Sequence, residues 1–277
     1  MSTITASAVN ELRQKTGAGL MDCKKALTES GGDFEKAIDY LRKKGQKVSE
    51  LRAGRESKEG VIYAHTIPTH KTGVIVHLSC ETDFVAKNAE FVGFAKEVAE
   101  VALTNNVTAL ESLLQHKIKN VTIADNLAEM VGKIGEKIEI KKFDSISADF
   151  VVAYNHSNYK VGVLVGFTKG GHEGIAAVGK DIAMQIAAMS PIAIDKDGIP
   201  QDVIDREMAI AREQILAEGK PENMVDKIAA GKLQKFFKES TLLNQQFVKD
   251  GNKTVADVLK ETDKDLKITR FVRINLC

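Results

Sequence analysis

Three groups of residues in this chain have types and spacings that could do chemistry. In the stretch 174–181, Gly174 is followed after four residues by Gly179, Lys180 and Asp181, the glycine and lysine spacing of a phosphate-binding loop. The pattern fails at its last position. The loop needs a Ser or Thr hydroxyl for magnesium, and Asp181 would set a negative charge beside the phosphate; the competing reading is a helix whose small residues pack on a sheet. His65, His70, His77 and Cys80 form the second group. In a strand from Gly73 to Cys80 the side chains of His77 and Cys80 point to opposite faces, and His70 falls in a turn. Solvated or hydrogen-bonded histidines are therefore expected, with no metal site. The third group is the loop 80–88, which sets the carboxylate of Asp83 beside the large aromatic Phe84. In one reading Phe84 caps the local core and Asp83 N-caps the next helix. In the other, an exposed Phe84 beside an acid inserts into a partner and disturbs a charged or metal-bearing site there. No Ser-His-Asp or Cys-His arrangement stands out. An enzymatic role has no positive support, and no cofactor is expected.

The whole-chain numbers narrow the partners. Thirty-nine basic and thirty-eight acidic residues leave a formal charge of +1, so no global field draws the chain to nucleic acid or to an anionic membrane. A partner must be recognised by a local surface. Cys23, Cys80 and Cys277 are far apart and form no Cys-x-x-Cys pair, which fits free thiols in a reducing compartment. The first residues carry neither a basic start nor an apolar stretch of signal-peptide or membrane-spanning length, and a cytoplasmic location is expected.

Residues 1–55 read as a small separate module of three helices, with eleven basic and seven acidic side chains. Thr5 caps the first, which runs to about Thr16 with Val9 and Leu12 inward before Gly17 and Gly19 break the chain. Gly31 and Gly32 end the second. Asp33 caps the third, where Phe34, Ala37, Ile38 and Leu41 recur at helical spacing until Gly45 stops it, and 47–59 reads as a charged linker. Phe34 belongs to the apolar stripe and Tyr40 stands alone, so the basic face lacks the aromatic platform that binds single strands, and no direct nucleic-acid contact is expected. Leu20 and Met21, beside the glycine bend, either complete the mini-core or lie exposed as apolar contacts.

The remainder, 56–145 and 146–277, contains a repeat. Thr122-to-Glu129 matches Thr254-to-Glu261, and each is followed by a strand-like run, from Lys137 and from Lys267. Upstream, hairpins built on Val61, Ile62 and 73–78 match those built on Val151, Val152 and 162–167. The expected fold class is α+β: a three-helix module, then a duplicated core of two small antiparallel sheets, each with helices on one face. Two insertions distinguish the halves. From Gly73 to Gly162 the offset is 89, yet from Lys96 to Lys180 it is 84, so the first half is longer by five residues around 81–88. In the second half, about 200–240 reads as an antiparallel helical hairpin turned at Gly219 and Pro221, with Val203, Ile204, Met208, Ala211 and Ile215 facing Val225, Ile228, Ala229 and Phe236.

The stretches 16–27 (TGAGLMDCKKAL) and 82–87 (TDFVAK), with this order of module, duplicated core and hairpin, strongly resemble the elongation factor Ts family over nearly the whole chain. The resemblance implies a guanine-nucleotide exchange factor for elongation factor Tu, with an N-terminal module similar to ubiquitin-associated domains. It implies that Arg13, Leu20, Met21 and Lys24 contact the partner's GTPase domain. Thr82, Asp83, Phe84 and Val85 would form the segment that pushes between helices of that domain and dislodges its magnesium. His156 matches a further contact position, and Val248 is a weaker candidate for contact with another domain of the partner. The hairpin is not expected to be catalytic. Leu20 stands where some relatives carry methionine, a change that keeps apolar size. The sequence ends at Cys277, so contacts that a C-terminal helix makes in some relatives are expected to be missing.

Overall fold

The computed structural model describes residues 4–170 and 173–276; Cys277 and the first three residues lie outside them. The chain opens with helices α1 (Ala6–Thr16), α2 (Leu20–Glu29) and α3 (Phe34–Arg52). The Thr5 hydroxyl accepts from Ala8 N, Gly17 closes α1 in the left-handed region at φ 68°, and the Asp33 carboxylate accepts from Lys36 N. Val9, Leu12, Cys23, Ala26, Leu27 and Ala37 make the buried mini-core.

Gly45 does not stop the third helix. α3 continues seven residues beyond it, so Lys47 to Arg52 are helical rather than part of a linker. The glycine serves another purpose. A Cβ at Gly45 would lie 2.5 Å from the Ala128 carbonyl oxygen, and one at Gly132 would lie 2.8 Å from Gly45 Cα. Two backbones meet there, and only glycine permits the approach. The helix crossed is α7 (Ile123–Ile134), so the third helix of the first module is docked on the core, with Arg42 bonded to Glu129 across the crossing.

The first half of the core runs β1 (Glu59–Thr66), β2 (Thr72–Cys80), α4 (Asp83–Ala86), α5 (Ala89–Thr104), α6 (Leu110–Gln115), β3 (Lys117–Ile118), β4 (Val121–Thr122), α7 (Ile123–Ile134) and β5 (Glu139–Ser147). The second runs β6 (Phe150–His156), β7 (Val161–Phe167), α8 (Glu173–Met189), α9 (Gln201–Ala217), α10 (Glu222–Ser240), β8 (Gln246–Phe247), β9 (Asp250–Thr254), α11 (Val255–Thr262) and β10 (Ile268–Asn275). The repeat is visible as topology: sheets β1-β2-β5 and β6-β7-β10 are both antiparallel with the second strand central, and each half adds a two-stranded ribbon before its last helix. Thr122 and Thr254 cap those helices alike, each accepting from the backbone N–H three residues on.

The sheets lie back to back between helices. One outer core joins β2 to α5 and α7, the other joins β7 to α8 and α11, and Ile62, Ile75, Val151, Leu164 and Ile274 fill the space between the sheets. Asn155 of β6 bridges the sheets by accepting from Ala64 N and donating to Ala64 O, at 2.8 and 2.9 Å. Gly179 and Lys180 lie inside α8, and a Cβ at Gly179 would meet Val152 and Phe167, which excludes a phosphate loop there. α9 and α10 form the expected hairpin around Ala211, Ile215, Val225 and Ala229.

Candidate functional site

The tip of interest begins where β2 leaves its sheet. Cys80 is buried, and burial, with Glu136 and Glu59 nearby, pushes its thiol up to about 12; the thiol donates to Thr82 O at 3.1 Å. A thiol held protonated this way is no nucleophile. Thr82 has extended backbone angles, and its hydroxyl oxygen accepts from Val85 N at 3.4 Å, making Thr82 the N-cap of α4. Asn88 caps α5 by accepting from Glu90 N at 2.8 Å. Asp83 therefore caps neither helix. Its carboxylate instead accepts from Lys87 Nζ at 2.6 Å, which with lesser help from Lys160 holds it below the usual range.

Phe84 does not cap the core: it is 82% exposed, while Val85 beside it packs on the first core with Ala86. The segment thus turns one apolar side chain inward as an anchor and the next outward. An exposed phenylalanine leaves a large apolar area in water, a cost recovered on contact with an apolar pocket.

Two carboxylates hold this tip. Glu136, in the turn after α7, accepts from Glu81 N at 3.1 Å, Thr82 N at 3.0 Å and the Thr82 hydroxyl at 2.7 Å. Glu81 reaches the other way, accepting from Lys137 N at 2.6 Å, Arg52 at 2.9 Å and Arg55 at 3.1 Å. The Lys137 amide first, then the two guanidiniums, lower the Glu81 pKa. Arg52, Arg55, Glu136 and Lys137 leave no signal in the sequence because none stands near residue 83 in the chain. The charged 47–59 segment, which reads as a linker in the sequence, contains both arginines.

The other expected contact residues occupy three places. Arg13, Leu20, Met21 and Lys24 are all exposed, Met21 at 72%, on the outer surface of α1 and α2 opposite buried Cys23, Ala26 and Leu27. That decides between the two readings of Leu20 and Met21: both face solvent. His156 is exposed at the end of β6, with Nδ1 2.8 Å from the Tyr154 hydroxyl, and its hairpin turn carries the Lys160 that acts on Asp83. Val248, 60% exposed, follows the short ribbon strand β8, and its N–H donates to buried Gln185 at 2.8 Å.

The histidine expectation needs one correction. His70 meets the Val151 carbonyl at 3.2 Å, but His77 is buried and neither ring nitrogen has a hydrogen-bond partner. Burial first, then Lys141 and Lys142, lowers its pKa from 6.5 to about 4. Among the described residues no group of three or more His, Cys, Asp or Glu could hold a metal ion, and no helix is long and apolar enough to cross a membrane.

A duplicated α+β frame preceded by a three-helix module, with Leu20, Met21, Phe84 and Val248 exposed, defines the class by fold. The family model described as elongation factor TS matches residues 81–277. Proteins named elongation factor Ts are 49% identical over 98% of both chains in Amoebophilus asiaticus, and 48% identical over the full length of both chains in Christiangramia forsetii and Cytophaga hutchinsonii. The chain belongs to the elongation factor Ts family, and its role is that of a translation elongation factor.

Proposed function

We propose that this chain binds elongation factor Tu carrying GDP in the cytoplasm and promotes exchange of GDP for GTP by displacing the bound magnesium. The observation that carries this reading is Phe84, 82% exposed on a helix of four residues whose preceding segment is held by Glu136. In this account residues 1–55 are the partner-binding module, with Arg13, Leu20, Met21 and Lys24 gripping the GTPase domain. Within 56–145, Thr82 caps the tip, Val85 anchors it, and Asp83 and Phe84 enter the partner. Within 146–277, His156 adds a contact beside them and Val248 meets a further domain, while the hairpin at about 200–240 stands apart from the exchange step.

The energetics set what the tip must do. A nucleotide held at about nanomolar affinity is bound by roughly 12 kcal/mol, so unaided release is slow. Burial of one phenylalanine in a partner pocket supplies about 2 to 4 kcal/mol, a hundredfold effect that is only part of the shift. Lost magnesium contacts and the rest of the interface supply the remainder. Coupling is reciprocal: the factor weakens GDP by the ratio by which GDP weakens the factor, so incoming GTP expels it.

Release of fluorescent GDP from elongation factor Tu, with and without this protein, tests the reading in magnesium and after chelation. Strong acceleration in magnesium and much weaker acceleration after chelation are expected. No acceleration in magnesium would end the exchange reading, and equal acceleration in both would end the magnesium step alone.

A further inference from the structure

Asp83 and Phe84 carry the proposed work, yet neither side chain fixes where the other points. α4 closes through Ala86 N to Thr82 O and Lys87 N to Asp83 O, at 3.2 and 3.1 Å. A single turn of this kind is unstable by itself, because nucleation fixes several dihedrals for few bonds. Something outside the turn must orient it.

The geometry points to Glu136 as the positioning residue of the Asp83–Phe84 tip. The Glu81 and Thr82 amides lie just beyond the end of β2, and the one carboxylate oxygen Oε2 takes both. Its other oxygen, Oε1, takes the Thr82 hydroxyl proton at 2.7 Å. That hydroxyl has only one proton. Once it is given to Glu136, the oxygen faces Val85 N as an acceptor, which is the role an N-cap needs. Glu136 thus fixes the backbone entering the turn and the polarity of the cap that starts it. Glu81 returns the bond by accepting from Lys137 N, so each segment's side chain satisfies the other's backbone.

This inference rests on the proposed role of Phe84, and the experiment separates the two. GDP release from elongation factor Tu is followed across concentrations of the full chain for wild type, Glu136→Gln, Glu136→Ala, Phe84→Ala and the Phe84→Ala/Glu136→Ala double variant, with thermal melting to confirm folding. Glu136→Ala lowers the maximal release rate about tenfold and changes the half-saturating concentration much less, because misplacement of an acting group costs rate. Glu136→Gln, whose amide oxygen still accepts from both backbone N–H groups, recovers most of that rate. In the Phe84→Ala background, Glu136→Ala adds nothing, as expected of two residues acting through one element. A folded Glu136→Ala with the wild-type maximal rate would overturn the inference, as would an undiminished further loss in the double variant. If Glu136→Ala fails to fold, Glu136→Gln decides, and a Gln variant as slow as Phe84→Ala while equally well folded would contradict the shared-acceptor geometry. If Phe84→Ala itself exchanges normally, the proposed role of Phe84 falls and the positioning role with it, a pattern distinct from a slow Phe84→Ala beside a normal Glu136→Ala.

Discussion

The two halves of the core meet the same structural problem and solve it differently. In each, the central strand ends and must be tied to the start of the last strand. In the second half β7 ends at Phe167, and Thr168 does the tying: its hydroxyl accepts from Lys267 N at 3.0 Å, and its N–H donates to Lys267 O at 3.0 Å. In the first half β2 ends at Cys80, and the ionised Glu81 accepts from Lys137 N while also holding Arg52 and Arg55. The first half keeps a neutral tie at the matching position, where Ser79 Oγ donates to Glu139 O at 3.3 Å, and adds, two residues on, a charged junction that connects the strand end to the end of α3. Beside it, Glu136 holds the exposed tip. Duplication supplies the frame twice, and one copy of the joint carries the added segment with exposed Phe84.

The halves also differ one step earlier on the central strand. The repeat aligns His77 of β2 with Gly166 of β7, and both lie toward the space between the sheets. His77 is buried without partners and has a pKa of about 4 against its ordinary 6.5. Between those values the unfolded chain binds a proton that the folded chain refuses, so stability falls as pH drops through this window. The loss amounts to about 3 kcal/mol by pH 4. His77→Leu, which also removes two unsatisfied buried polar atoms, is expected to hold or raise the melting temperature at pH 7 and to flatten its decline toward pH 5. An unchanged decline would show that His77 is not the titrating group.

The strand-end ties give the next effects. Glu81→Ala removes an acceptor from Lys137 N and a partner from two guanidiniums around a side chain 17% exposed, and is expected to cost about 2 kcal/mol in denaturant unfolding. Thr168→Ala, which removes a neutral hydroxyl that accepts from Lys267 N and donates to Asp265 O, is expected to cost about 1 kcal/mol. Only the first has a pH signature. The Glu81 contribution is full above the ordinary carboxylate range and is lost as pH falls through its lowered value, a more acidic window than that of His77. Equal costs for the two variants would erase the distinction drawn between the joints. Lys87→Ala, which breaks the exposed pair with Asp83, is expected to leave the denaturant midpoint unchanged.

Much of this was legible in the sequence, because the signals were local or periodic. Thr5 and Asp33 announced their helices as caps, the 122–129 and 254–261 match announced the duplication, and the offset change announced an added segment at 81–88. Gly45 misled, since a glycine demanded by a helix crossing looks the same in sequence as one that ends a helix, and its partner Gly132 lies far along the chain. The clamp on the tip stayed hidden for the same reason. Arg52, Glu81 and Glu136 are ordinary charged residues until the fold brings them together, and His77 looked like any surface histidine until both sheets covered it.

The central claim is that exposed Phe84, presented by the modified first half, acts on a partner rather than on this chain's own fold. The most direct measurement is the rate of GDP release from elongation factor Tu driven by Phe84→Ala, beside its melting temperature. The account predicts a melting temperature close to wild type, since the ring is 82% exposed, and release slowed up to about a hundredfold. A well-folded Phe84→Ala that releases GDP at the wild-type rate would contradict it.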